Sequence, residues 1–137
     1  MKLFAFGLGF SAQTLSERLA AKGWEIAGTA RDVGKIGHLA ERGYAIVQYE
    51  GEAANGALPS ALRGTTHLLH SIPPGPEGDP ALLHYRDAIA ALPDLAWVGY
   101  LSTVGVYGDQ GGRWVDETAP PRPNSARTEA RVEAERA

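Results

Sequence analysis

Leu3-Phe4-Ala5-Phe6-Gly7-Leu8-Gly9-Phe10-Ser11-Ala12 is an apolar run that breaks into the pattern G-x-G-x-x-A. In such a turn the first glycine makes the tight bend and the second lets backbone approach a pyrophosphate. The small third residue lets the following helix pack close to the strand. Gly7, Gly9 and Ala12 take those places. A helix beginning near Ser11, with Phe10 and Ser11 in its opening turn, offers free N–H groups and the positive end of its dipole to phosphate oxygens. Leu15 and Leu19 fall on the face turned toward a sheet. The competing reading, a glycine-rich turn with no ligand, is outweighed by the strand before it, the helix after it and a second strand beyond. These residues are therefore read as a dinucleotide site built from backbone.

Working outward, strands and helices alternate, the pattern of an α/β doubly wound parallel sheet with helices on both faces. About five strands are expected, near residues 2–6, 24–29, 44–48, 66–71 and 95–101. Gly23 ends the first helix, and Asp32 caps a second that carries Ile36 and Leu39 and stops at Gly43. Asp79 as N-cap and Pro80 at the first position open a later helix, with Leu82, Tyr85, Ile89 and Leu92 at spacings of three and four. The stretch Ile72-Pro73-Pro74-Gly75-Pro76-Glu77-Gly78 resembles a linker in composition. It follows a strand where such a sheet places its ligand crevice, so it is read as a cofactor-side loop bordered by Ser71 and Ile72.

The 137 residues suit a single domain, 1–137, and 44% hydrophobic residues with scattered charge suit a globular core. A net charge of -3 without a basic stripe argues against nucleic acid as a partner. The chain has no cysteine, which excludes disulfides and thiolate chemistry. No apolar run approaches the roughly 20 residues needed to span a bilayer, and Met1-Lys2 leads into a strand rather than a signal peptide, so no membrane association and a cytoplasmic location are expected. Metal binding is not expected: His67 and His70 lie three apart on a strand and face opposite sides, and His38 and His84 fall on separate helices.

The cofactor's identity turns on the end of the second strand, Gly28-Thr29-Ala30-Arg31-Asp32. An acidic residue there would accept from the ribose 2′-OH of NAD, whereas Arg31 offers a guanidinium suited to the 2′-phosphate of NADP. NADP is favoured and NAD is the alternative, with Asp32 either a ribose acceptor or a helix cap.

A second segment, Tyr100-Leu101-Ser102-Thr103-Val104-Gly105-Val106-Tyr107-Gly108-Asp109, is followed by Val115-Asp116-Glu117-Thr118 and Pro121-Arg122-Pro123. With the glycine turn, it resembles the extended short-chain dehydrogenase/reductases of the NAD-dependent epimerase/dehydratase group, over essentially the whole chain. The resemblance implies a Rossmann fold, a nicotinamide dinucleotide and a small-molecule substrate. It also implies that Ser102 and Thr103 contact the substrate oxygen and that Tyr107 lines the substrate cleft or serves as the acid. The family's Tyr-x-x-x-Lys pair is absent: counting from Pro123, its places hold Arg127 and Arg131, and arginine cannot act as acid/base. The departure resembles atypical members of the group. Arg131 is assigned the lysine's ribose contact, and the pair is read either as an anion site or as a solvated face. Asp116 and Glu117 are read as turn or capping residues.

The chain ends inside a helical pattern, Val132-Glu133-Ala134-Glu135-Arg136-Ala137, whereas family members continue for roughly as long again. It is read as the N-terminal portion of a longer protein, whose further chain or a homodimer partner would cover the apolar edge Leu95–Leu101. Two functions stay open: an NAD(P)-dependent oxidoreductase or epimerase/dehydratase-like protein, and a non-catalytic dinucleotide-binding redox sensor or interaction protein.

Overall fold

Residues Leu3, Phe4, Ala5 and Phe6 are buried on both sides, so the first strand reads as an unbroken apolar run instead of an alternating one. The computed structural model describes residues 1–137. In chain order the elements are β1 (Lys2–Phe6), α1 (Phe10–Ala20), β2 (Glu25–Ala30), α2 (Val33–Glu41), β3 (Ala45–Gln48), α3 (Leu58–Leu62), β4 (His67–His70), α4 (Pro80–Ala90), β5 (Trp97–Tyr100), a 3-10 turn (Val104–Tyr107) and α5 (Ala126–Arg136). The five strands form one sheet in the order β3-β2-β1-β4-β5, every pairing parallel. This is the expected Rossmann-type α/β fold. The chain runs outward from β1 to β3 and then returns to β1's other side, so the carboxyl ends of β1 and β4 form the crevice where doubly wound sheets bind ligands.

Two cores sandwich the sheet. Leu3, Ala5, Ile26 and Leu69 pack with Leu8, Ala12 and Leu39 on the side of α1 and α2, with Leu15 and Leu19 against them. Phe4, Phe6, Ala27 and Leu68 pack with Leu58 and Leu62 of α3 and with Ala81, Tyr85 and Ile89 of α4 on the other side. The ring centroids of Tyr85 and Tyr49 lie 5.9 and 6.3 Å from that of Phe6. His67 stacks edge-on against Trp24, whereas His70 tilts against Phe6, so the two histidines do lie on opposite faces.

Local chemistry sets the boundaries. The Asp32 carboxylate accepts from the Lys35 amide at 2.8 Å, and Asp79 Oδ1 accepts from the amides of Ala81 and Leu82 at 2.9 and 3.0 Å. Both residues are the expected helix caps. Gly75 and Gly78 bond each other's backbone, which folds the proline-rich segment into a tight turn rather than a linker. The helix α3 escapes a periodicity reading because it is one turn long, although Leu58 and Leu62, four apart, are wholly buried. At the sheet edge β5 is shorter than expected. The Ala96 amide still bonds Thr66, Leu95 turns into the core, and Trp97 and Val98 are exposed.

Candidate functional site

The glycine turn is held from below by one residue of β2. Thr29, wholly buried, accepts the Gly7 amide on its hydroxyl at 2.8 Å and the Leu8 amide on its carbonyl at 2.8 Å. In the sequence Thr29 stands only within the stretch at the end of the second strand; its role follows from the β1–β2 register, which sets the end of one strand beside the end of the other. Gly7 has φ +83°, and a Cβ there would lie 2.6 Å from the Ile72 side chain. Ala12 is fully buried where α1 meets the sheet, as the fingerprint requires. Gly9 is different. Its backbone is extended, and a Cβ would meet nothing nearer than Ser71 Oγ at 3.9 Å. The fold does not need a glycine at that position.

Above this turn lies a cavity of about 320 Å³, within the range of ligand clefts. Gly7, Gly9, Arg31, Ser71 and Ile72, all singled out in the sequence, line it together with Lys35, Tyr49 and Glu50. Phe10 and Ser11 are exposed in the first turn of α1, where no side chain caps the helix and no acidic residue competes for its N–H groups. An anion seated on the turn would meet that uncapped terminus. At the far end, Arg31 and Lys35 supply two cations, while Asp32 is engaged as a cap. Lys35 follows from the helical geometry of α2 and carries no signal in the glycine pattern. The Tyr49 hydroxyl donates to the Pro80 carbonyl at 3.0 Å, and burial, then Tyr85 and Asp79, push its pKa up to about 12, so it serves as a fixed donor and not as a base.

Ser102, Thr103 and Tyr107 come together in a second cavity, of about 540 Å³, just beyond β5. Val104, Val106, Glu117, Ala119, Pro121 and Glu135 complete its lining. The Ser102 hydroxyl is hydrogen-bonded to the Glu135 carboxylate, a contact between residues 33 apart that sequence gives no means of finding. Asp116 accepts from both the hydroxyl and the amide of Thr118, which hold its carboxyl below its ordinary range in a turn, whereas Glu117 faces the cavity.

Arg131 does not line the nucleotide cavity. Its side chain is nearly buried between α5 and β5, donating to the Leu101 carbonyl at 2.9 Å and the Tyr100 hydroxyl at 3.3 Å, with the guanidinium 5.5 Å from the Tyr100 ring centroid. Burial raises the Tyr100 pKa, with the Arg131 charge and hydrogen bond pulling against it. Arg127, one turn earlier, is exposed. The two arginines therefore do not share one environment.

Where β4 ends and α4 begins, His70 Nδ1 lies 3.6 Å from Asp79 Oδ1, both side chains buried. Burial alone would raise the Asp79 pKa, but His70 and the amides of Leu82 and Ala81 outweigh it and leave the carboxyl below its ordinary value. An unfolded chain thus binds a proton at Asp79 more readily than the folded one. The stabilisation is present above the unfolded value near 3.8 and is lost as pH falls through the folded value. Asp79→Ala is expected to cost about 1 kcal/mol through the lost cap and to flatten the acid side of the stability profile, as checked by urea unfolding from acid to neutral pH. An unchanged acid limb would show that the pair contributes nothing.

No protein-family model and no curated protein matches the chain. Among solved structures, a functionally unknown conserved protein from Silicibacter pomeroyi DSS is 43% identical over 98% of this chain and 47% of its own, with a TM-score of 0.82. A protein described only as a candidate epimerase, from Burkholderia cenocepacia J2315, matches at 22% identity over 98% of this chain and 48% of its own, with a TM-score of 0.76. A short-chain dehydrogenase/reductase superfamily protein from Agrobacterium tumefaciens, with bound NAD, matches at 20% identity over 99% of this chain and 43% of its own, with a TM-score of 0.71. The chain has the fold found in these epimerase and short-chain dehydrogenase/reductase structures and spans about half the length of each. No helix is long and apolar enough to cross a membrane.

Proposed function

We infer, from a Rossmann-type fold shared with short-chain dehydrogenase/reductase structures, that this chain is the dinucleotide-binding portion of a cytoplasmic NADP-dependent oxidoreductase or epimerase-like protein. The observation that carries the reading is Gly9, a glycine with room for a side chain, which lines the cavity at the uncapped end of α1. Its bareness serves whatever lies above it. The amides of the α1 terminus would hold the pyrophosphate, Gly7 and Ile72 would shape the floor, and Arg31 with Lys35 would receive a 2′-phosphate. Bound there, the nicotinamide would supply the hydride chemistry. Ser102, Thr103 and Tyr107 would orient a small-molecule substrate in the second cavity.

Calorimetric titration with NADPH and NADH tests this directly. NADPH is expected to bind more tightly, and Arg31→Ala is expected to weaken it about tenfold while leaving NADH within about twofold, the order of one surface-exposed charge-assisted contact. Equal loss for both nucleotides would remove the NADP assignment, and no binding of either would remove the whole reading. A second reading is a dinucleotide-responsive protein that performs no chemistry. It is favoured by arginines at the two positions where the resemblance places the family's tyrosine and lysine, one of them bonded to Tyr100 of β5.

A further inference from the structure

His70 and Asp79 stand at the two ends of one loop. His70 is the last residue of β4, Asp79 caps α4, and the segment Ser71–Gly78 runs between them. The first cavity leans on that loop: Ser71, Ile72 and Pro73 at its start and Pro80 just past its end all line it. The Ile72 side chain sits under Gly7. Pro80 accepts the Tyr49 hydroxyl on its carbonyl, and a Cβ on Gly51 would lie 3.4 Å from its ring. Prolines stiffen the loop, and Gly75 with Gly78 closes its tip, but neither joins one end to the other. The buried pair does. Asp79 Oδ1 is occupied by the amides of Ala81 and Leu82, and Oδ2 is buried without a hydrogen bond. His70 is the one side chain that reaches this carboxylate, with Nδ1 3.6 Å from Oδ1 and no other partner of its own. Burying polar atoms without partners is costly, so moving the loop ends apart would strand both groups.

We propose that the buried His70–Asp79 pair is a clasp across the base of the Ser71–Gly78 loop, and that His70, acting through Asp79, is thereby a positioning residue for the nucleotide. For the nucleotide, though not for the loop, this rests on the reading of the first cavity as a dinucleotide site.

The test compares the full 137-residue chain with His70→Leu, His70→Asn and Asp79→Ser. Leucine fills the imidazole's space without a donor, asparagine returns an amide donor near the Nδ1 position, and serine keeps a helix cap while removing His70's partner. Calorimetry gives the affinities for NADPH and NADH, and hydrogen exchange follows the hydrogen-bonded amides of Ser71, Gly75 and Gly78. His70→Leu and Asp79→Ser are expected to weaken both nucleotides alike by about five- to tenfold, as when the loop holds its binding shape only about a tenth to a fifth of the time. The loop amides should exchange about tenfold faster while those of β1 keep their rates. His70→Asn should return affinity and exchange to within about twofold of the parent. Asparagine no better than leucine, or a loss confined to NADPH, would overturn the clasp. So would variants that melt lower yet bind and exchange as the parent does, since the pair would then be structural only. Should His70→Leu not fold, Asp79→Ser against His70→Asn makes the same comparison. If the parent binds neither nucleotide, the cofactor reading falls alone, and the exchange rates decide the clasp.

Discussion

A Gly9→Val chain is expected to fold and melt nearly as the parent does, while its affinity for NADPH falls by about 10- to 100-fold, the cost of forcing extra methyl groups into a filled space. The asymmetry between the two glycines makes this prediction sharp. At Gly7 a side chain would be strained twice, by φ +83° and by Ile72 at 2.6 Å, so any loss of binding could come from a damaged fold. At Gly9 the backbone has φ -73° and ψ -171°, open to any residue, and the nearest atom is 3.9 Å from the would-be Cβ. The expected stability cost is limited to exchanging glycine for valine at an N-cap, about 1 kcal/mol. Thermal unfolding and calorimetric titration on the same preparation separate the two effects. A Gly9→Val chain that binds NADPH as the parent does would show that no phosphate lies over the turn.

Replacing Arg131 with alanine is expected to do the reverse: to lower stability by about 3 kcal/mol and leave NADPH affinity within about twofold. Its guanidinium makes a short bond to the Leu101 carbonyl and a longer one to the Tyr100 hydroxyl while covering the tyrosine ring. A hydrogen bond to a charged group contributes about 1.5–3 kcal/mol and a partly desolvated cation over a ring about 0.5–2. The net is held down because Arg131 Nε is buried without a partner and no carboxylate forms a salt bridge with it. Arg131→Lys should recover less than half of the loss, since one ammonium cannot both stack and reach two acceptors. For a chain of this length the alanine variant should melt about 10 °C lower. A tenfold loss of NADPH affinity with unchanged melting would instead make Arg131 a ribose ligand. Arg127→Ala, at an exposed position, is expected to change stability by less than about 0.5 kcal/mol.

The sequence by itself determined the parts of this protein that rest on neighbours along the chain. Gly7, Gly9 and Ala12 encode the turn and its close packing, because their lack of side chain is itself the geometric requirement. Asp32 and Asp79 encode helix starts, because a cap acts on amides two or three residues away. The alternation of apolar runs and amphipathic stretches was enough for the parallel sheet and its longer helices, α3 excepted. Tertiary structure alone decided what depends on distant pairs. Thr29 became the support of the glycine turn only when the strand register brought it to Gly7. Arg127 and Arg131, alike in sequence, separated into an exposed side chain and a buried one because only the second faces β5. The Ser102–Glu135 pair came from α5 folding back over the strand end. A local pattern fixes backbone conformation, but which side chains meet across the sheet is set by loop closure and packing, and these leave no mark in the spacing of residues.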